Sequence, residues 1–218
     1  MSRHAAPAPP RHRLRRALAP RRGFTLIDLL VIITITGTIA GTMTAVFSGL
    51  AAQSAQALRE REVDALAQSM LEEVKSQPFG PCDAGDARFR LATRAVLGAG
   101  LGGCQTQVDG LGSEPGESRY GASAATRFDG VSDYHGFTMP GPGCASFCDR
   151  AGVPLGLAGR LAGCNLGVAV VPQALPGLAA LDADGRPQAL RIVVTVRCPG
   201  AADVLAEGVR VRRPQGVL

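Results

Sequence analysis

Arg21-Arg22-Gly23-Phe24-Thr25-Leu26-Ile27-Asp28 leads into a run, Leu29 to Leu58, that holds no charged residue. About 20 apolar residues cross a bilayer as a helix, so the run predicts one spanning segment over 24–50. A carboxylate at the mouth of such a segment is expensive in lipid, so Asp28 asks for a cationic partner. The basic stretch before Gly23 carries Arg3, Arg11, Arg13, Arg15, Arg16, Arg21 and Arg22 and no Asp or Glu. Lys and Arg next to a span stay on the cytoplasmic side, which places the rest of the chain across the membrane. A secretory signal is a weaker reading, because its apolar core would be shorter and would end at a small-residue cleavage site.

With residues 1–23 set apart, seven of the chain's 23 basic residues are removed. The remaining 16 basic residues face 18 acidic ones, a net of −2, although the whole chain carries +5. That balance argues against a basic nucleic-acid face, and no direct nucleic-acid contact is expected. The span itself is rich in Thr34, Thr36, Thr38, Thr42 and Thr44, and it holds the small-xxx-small pair Gly37 and Gly41. Thr hydroxyls bond back to carbonyls one turn earlier, and small residues let helices approach.

A second helical pattern follows over 51–77. Val63, Leu66, Ala67, Met70, Leu71 and Val74 lie at i, i+3, i+4, i+7, i+8 and i+11, which is one apolar helix face. Arg59, Glu60, Arg61, Glu62, Asp64, Glu72, Glu73 and Lys75 supply its polar side. Pro78 sets the stop, since the residue before Pro avoids the helical region. Residues 78–218 are rich in Gly and Pro and contain no Trp. Strands are predicted at Leu166–Val171, Leu190–Arg197 and Gly208–Arg213, with Asp182-Ala-Asp-Gly185 in the connection between the first two. Three antiparallel strands against a long helix make an α+β head.

Six cysteines, Cys82, Cys104, Cys144, Cys148, Cys164 and Cys198, lie in this region. Outside the cytoplasm an even count reads as a disulfide framework, with fifteen connectivities open. Pairing in chain order, Cys82–Cys104, Cys144–Cys148 and Cys164–Cys198, is the expectation. The alternative is zinc at Cys144-x3-Cys148. It lacks a second such pair, and His135 is the only histidine after the leader, so no metal and no cofactor are expected.

Other motifs match chemistry by letter only. Gly98-x-Gly-x-x-Gly103 lacks the strand and helix that a dinucleotide fingerprint needs. Gly121-Ala-Ser123-Ala-Ala125 is a near miss for a nucleophile elbow, and nothing places His135 beside Ser123. Asp182-x-Asp184-Gly185 is half of a calcium loop. No catalytic constellation emerges, and an enzyme is not expected. Phe128-Asp-Gly-Val-Ser-Asp-Tyr-His-Gly-Phe137 reads as a polar loop that gathers Asp129, Asp133, Tyr134 and His135.

The stretch Gly23-Phe-Thr-Leu-Ile-Asp28 at the mouth of a long apolar helix resembles the processing site of type IV prepilins and pseudopilins. The resemblance implies cleavage after Gly23 and N-methylation of Phe24 by a prepilin peptidase/N-methyltransferase. It implies pairing of Asp28 with the N-terminal amine of a neighbouring subunit; the family's usual residue there is Glu. It also implies an inner-membrane assembly platform as partner, with other pilin subunits packing through the N-terminal helix. Arg59–Phe79 and Phe128–Phe137 are similar to segments of minor pilins of the MSHA type. The expected organisation is a leader over 1–23, a membrane and filament-core helix over 24–50, an amphipathic helix over 51–77 and a disulfide-stapled head over 78–218. The subunit would first sit in the inner membrane with its head in the periplasm, then in a pilus at the cell surface. Two alternatives remain, a minor pseudopilin of type II secretion and a membrane-anchored periplasmic binding domain.

Overall fold

A computed structural model describes Gly23, Thr25 and the chain from Leu26 to Arg212, apart from residues 99 and 158 and the side chain of Leu101. Residues 1–22 and Phe24 lie outside the described residues, as do residues 213–218. Among the described residues, one α-helix, α1 (Leu26–Ser76), is followed by three short 3-10 turns at Gly100–Gly102, Ala124–Thr126 and Ser132–Tyr134. Four strands complete the order: β1 (Thr138–Met139), β2 (Asn165–Pro172), β3 (Ala189–Arg197) and β4 (Val204–Val211). The chain divides into two units, one ending at Ala52 and the other beginning at Gln53.

In the first unit the described part of α1 is exposed along its whole length, including Leu30, Ile33, Ile39, Val46 and Phe47. It is long and apolar enough to cross a membrane.

The second unit is an α+β head. The last part of α1 buries Val63, Leu66, Ala67, Met70, Leu71 and Val74, the six positions of the helix-period stripe. The helix ends at Ser76, two residues before Pro78. Behind it the strands form one antiparallel sheet in the order β1-β2-β3-β4. Leu166, Val168 and Val170 of β2 stand opposite Val196, Val194 and Ile192 of β3. These pairs point to one face and join the buried helix residues in a common core. Gly208 of β4 lies under the helix. A Cβ there would stand 3.0 Å from Lys75 Cδ and 3.2 Å from Leu71 Cδ1, so the missing side chain lets helix and strand approach.

Strand β4 begins at Val204 rather than at Gly208. Pairing starts at Val196↔Val204, as soon as the chain has turned after Cys198. The Asp182–Gly185 segment lies between β2 and β3 as expected. Gly98–Gly103 is closed by backbone bonds between Val96 or Gly98 and Cys104, and among the described residues no regular strand precedes it. The bridges join Cys82 to Cys104, Cys144 to Cys148 and Cys164 to Cys198, so no cysteine is free. The second bridge takes up both sulfurs of the suggested zinc pair.

Ile192 sits fully buried at the centre of β3. Ile192→Ala is expected to cost about 2–5 kcal/mol through lost burial and a residual cavity. Denaturant unfolding of the detergent-solubilised chain with its disulfides intact measures it.

Candidate functional site

Two regions carry chemistry. In the first unit, Thr25 and Asp28 close the start of α1 reciprocally. The Thr25 amide and hydroxyl donate to Asp28 Oδ2 (3.1 and 2.7 Å), and the Asp28 amide donates to Thr25 Oγ1 (3.2 Å). This is a capping box with Asp at the third helical position, and it satisfies helix-end donors that lipid would not. Farther along, Thr34, Thr36, Thr38, Thr42, Thr44 and Ser48 each donate a hydroxyl to a carbonyl three or four residues back. Their polar atoms are thereby satisfied within the helix. A Cβ at Gly37 or Gly41 would meet nothing within 4 Å, so these positions form an open, small-residue face.

In the head, sequence reasoning put Glu73 on the polar side of α1, but the structure turns it inward. Arg119, 4% exposed, grips it in a bidentate pair, Nε to Oε1 (2.7 Å) and Nη2 to Oε2 (2.6 Å). The Tyr134 hydroxyl adds a third bond to Oε1 (2.8 Å). Arg119 also donates to the Cys148 and Asp149 carbonyls and lies over the Tyr120 and Phe137 rings. The network joins the helix, the segment around 119, the turn at 132–134 and the Cys144–Cys148 loop.

The segment 128–137 is correspondingly not a polar surface loop. Ser132, Asp133 and Tyr134 are buried, and Phe128, Tyr134 and Phe137 pack edge to face. His135 is exposed, and its Nδ1 accepts the Val170 amide (3.2 Å). Ser123 bonds Thr126 instead of a base. Asp182 accepts the Asp184 and Arg186 amides and pairs with Arg212. Asp184 takes Arg94 (2.8 Å) and the Ala95 amide (3.0 Å). Protein donors therefore occupy both carboxylates of the half calcium loop.

A further group of carboxylates comes from separate loop segments, and sequence spacing did not reveal it. Ligand oxygens of Asp83, Glu114 and Glu117 lie within 4.8 Å of one another. A Cβ on Gly85 would stand 3.0 Å from Asp83 Oδ1, which accepts the Gly85 amide (2.9 Å), and 3.5 Å from Asp129 Oδ2, so both carboxylates flank this glycine. Asp133 is 2% exposed; its Oδ2 accepts the Asp129 and Gly130 amides (2.9 and 2.7 Å). Burial pushes Asp133 and Asp109 up to about 7 and Asp129 to about 6, and neighbouring carboxylates add to each rise. Glu117 reaches about 8 through burial and its hydrogen bond with Glu114. Asp86 behaves oppositely. Although burial opposes it, the amides of Thr106, Arg88, Gln107 and Gln105 hold its carboxyl far below the ordinary range. The signal available in the sequence was five acidic residues over 109–133 against Arg119 and Arg127.

A scan against protein-family models finds no match, and searches of curated proteins and of solved structures find none either.

Removing Arg119 leaves a largely buried Glu73 with only Tyr134 and the charge of Arg150 to support it, so Arg119→Met is expected to cost up to about 3–5 kcal/mol. The same pair sets an acid limit. Burial alone would raise the Glu73 carboxyl, but hydrogen bonds and charge from Arg119, with help from Tyr134 and Arg150, bring it below the usual glutamate value. Stability from this group is present above about pH 4.3 and is lost as pH falls through the lowered folded value. Unfolding measured from pH 6 down to about 3 should show that loss in the parent chain and a smaller one in Glu73→Gln.

Proposed function

We propose that the chain is a minor pilin subunit, assembled through its N-terminal helix into an MSHA-like type IV pilus. The observation that carries the reading is one unbroken helix, Leu26–Ser76, with two chemistries in succession. Its first part is apolar, exposed and internally satisfied; its last part is the spine of an α+β head. The sequence before it supplies the Gly23-Phe24 junction and Asp28, and the whole is compatible with a pilin-like fold. Within the MSHA group the resemblance is to the minor pilin MshD, through Arg59–Phe79 and Phe128–Phe137. The three bridged cysteine pairs fit a head in the periplasm and then at the cell surface.

The mechanism is assembly rather than catalysis. A prepilin peptidase removes residues 1–23 and methylates the amine of Phe24. The Thr25–Asp28 box fixes the carboxylate at the start of α1 by bonds that fall on Oδ2. The other oxygen is then available to the amine of a neighbouring subunit. That charge pair sets register while the apolar helices leave lipid and pack together, Gly37 and Gly41 allowing close approach.

Mass spectrometry of sheared surface filaments tests this reading. The expected result is an N-methylated peptide beginning at Phe24, with strong loss of the subunit from filaments in Asp28→Ala but normal insertion and cleavage. The same peptide confined to the inner membrane would instead support a secretion pseudopilin. An intact leader in every fraction would overturn the assembly reading and leave an anchored periplasmic domain.

A further inference from the structure

We infer that the head binds a calcium ion between the loop segments that carry Asp83, Glu114, Glu117, Asp129 and Asp133. The first support is geometry. Two oxygens on one calcium stand at most about 4.6–5.2 Å apart, twice the usual calcium–oxygen distance. The ligand oxygens of Asp83, Glu114 and Glu117 fall inside that span, within 4.8 Å of one another. Asp129 flanks Gly85 together with Asp83 and lies beside the group.

The second support is independent of the clustering. Asp133 is almost fully buried, and the Asp129 and Gly130 amides hold only its Oδ2. Its Oδ1 is buried and accepts no hydrogen bond. Glu114 Oε2, Glu117 Oε2 and Asp129 Oδ1 share that condition. Burying a carboxylate oxygen without a donor or cation is costly, and four such oxygens on neighbouring acids multiply the cost. Arg150 offsets part of it at Asp129, while its guanidinium donates to the Phe128 carbonyl (2.7 Å) and the Gln77 side chain. A divalent cation held by the cluster would satisfy Glu114 and Glu117, which bring oxygens to it, and its charge would offset those of Asp129 and Asp133 beside it.

The donor set selects the ion. It is carboxylate oxygen throughout, which suits a hard cation rather than zinc or copper. Three carboxylates within reach of one point, with Asp129 and Asp133 beside them, suit calcium's six to eight oxygen ligands, the rest coming from water and carbonyls. Magnesium keeps several waters and takes one or two carboxylates at about 2.0–2.1 Å. The site lies away from Asp182 and Asp184, whose oxygens are already engaged. Bound there, the ion would tie the segment after α1 to the 114–117 turn and to the 129–133 turn.

The competing account is a proton shared between Glu114 and Glu117. Calorimetric titration of the full chain separates the two, using detergent, oxidised cysteines and prior treatment with a chelator. With calcium chloride alone, one ion per chain is expected, with a dissociation constant between about 1 μM and 1 mM and magnesium at least about tenfold weaker. Calcium should also raise the unfolding midpoint by several degrees. Glu117→Gln removes a repelling charge, so it should fold at least as well in chelator, yet bind calcium at least about tenfold more weakly. No saturable heat up to about 10 mM calcium would overturn the inference. Affinity unchanged in Glu117→Gln would do the same, and so would equal affinity for magnesium. None of these outcomes depends on whether Phe24 is methylated, so the ion site and the filament reading fail separately.

Discussion

The bidentate pair between Glu73 and Arg119 is the contact on which the order of the head most depends. Between Ser76 and Asn165 the described chain forms no strand longer than two residues. Apolar burial brings that long segment down onto the helix, but burial is non-directional and does not choose one arrangement. A planar guanidinium against a carboxylate does, because both bonds must align together. A buried ion pair contributes little net stability over an apolar replacement of equal volume. Its value here is specification: it fixes where the segment around 119, the Tyr134 turn and the Cys144–Cys148 loop meet α1.

The disulfides act on the same problem by another route. Cys82–Cys104 closes a 22-residue separation and Cys164–Cys198 one of 34, each restricting the unfolded chain. Around the first bridge a small cluster of Cys82, Ala92 and Cys104 packs with Val108, separate from the main core. Asp86 holds the strand-poor chain beside it by accepting a row of backbone amides. Covalent links and buried carboxylates replace here what a sheet ladder supplies on the other side of the head.

This division explains what the sequence disclosed. Helix and strands are periodic, so the six-residue stripe from Val63 to Val74 and the β-branched run of β3 could be read directly. Strand β4 starts earlier than its alternation suggested, because pairing with Val196 begins as soon as the turn allows. Glu73 was misplaced for a clear reason: it sits between Glu72 and Val74 at the edge of the stripe, and only the partner at Arg119, 46 residues away, turns it inward. The Phe128–Phe137 segment has the composition of a loop, yet Asp133 is buried by bonding amides of its own turn and Tyr134 by reaching Glu73. The carboxylate group is assembled from segments 46 to 50 residues apart in the case of Asp83 with Asp129 and Asp133, a separation that no spacing rule encodes.

The two halves of α1 share one device, internal satisfaction of polar groups. In the apolar half, hydroxyls bond the helix's own carbonyls, and the Thr25–Asp28 box closes the end. In the head half, Glu73 takes its donors from elsewhere in the fold. The 83–133 carboxylates depart from that rule, since four of their buried oxygens receive no donor. Neighbouring like charges with raised proton affinity oppose folding of the loops that carry them. A region already dependent on point attachments would gain little from repulsion alone. With a divalent cation, the same charges become the attachment, and the loops least supported by strands acquire a cross-link of their own.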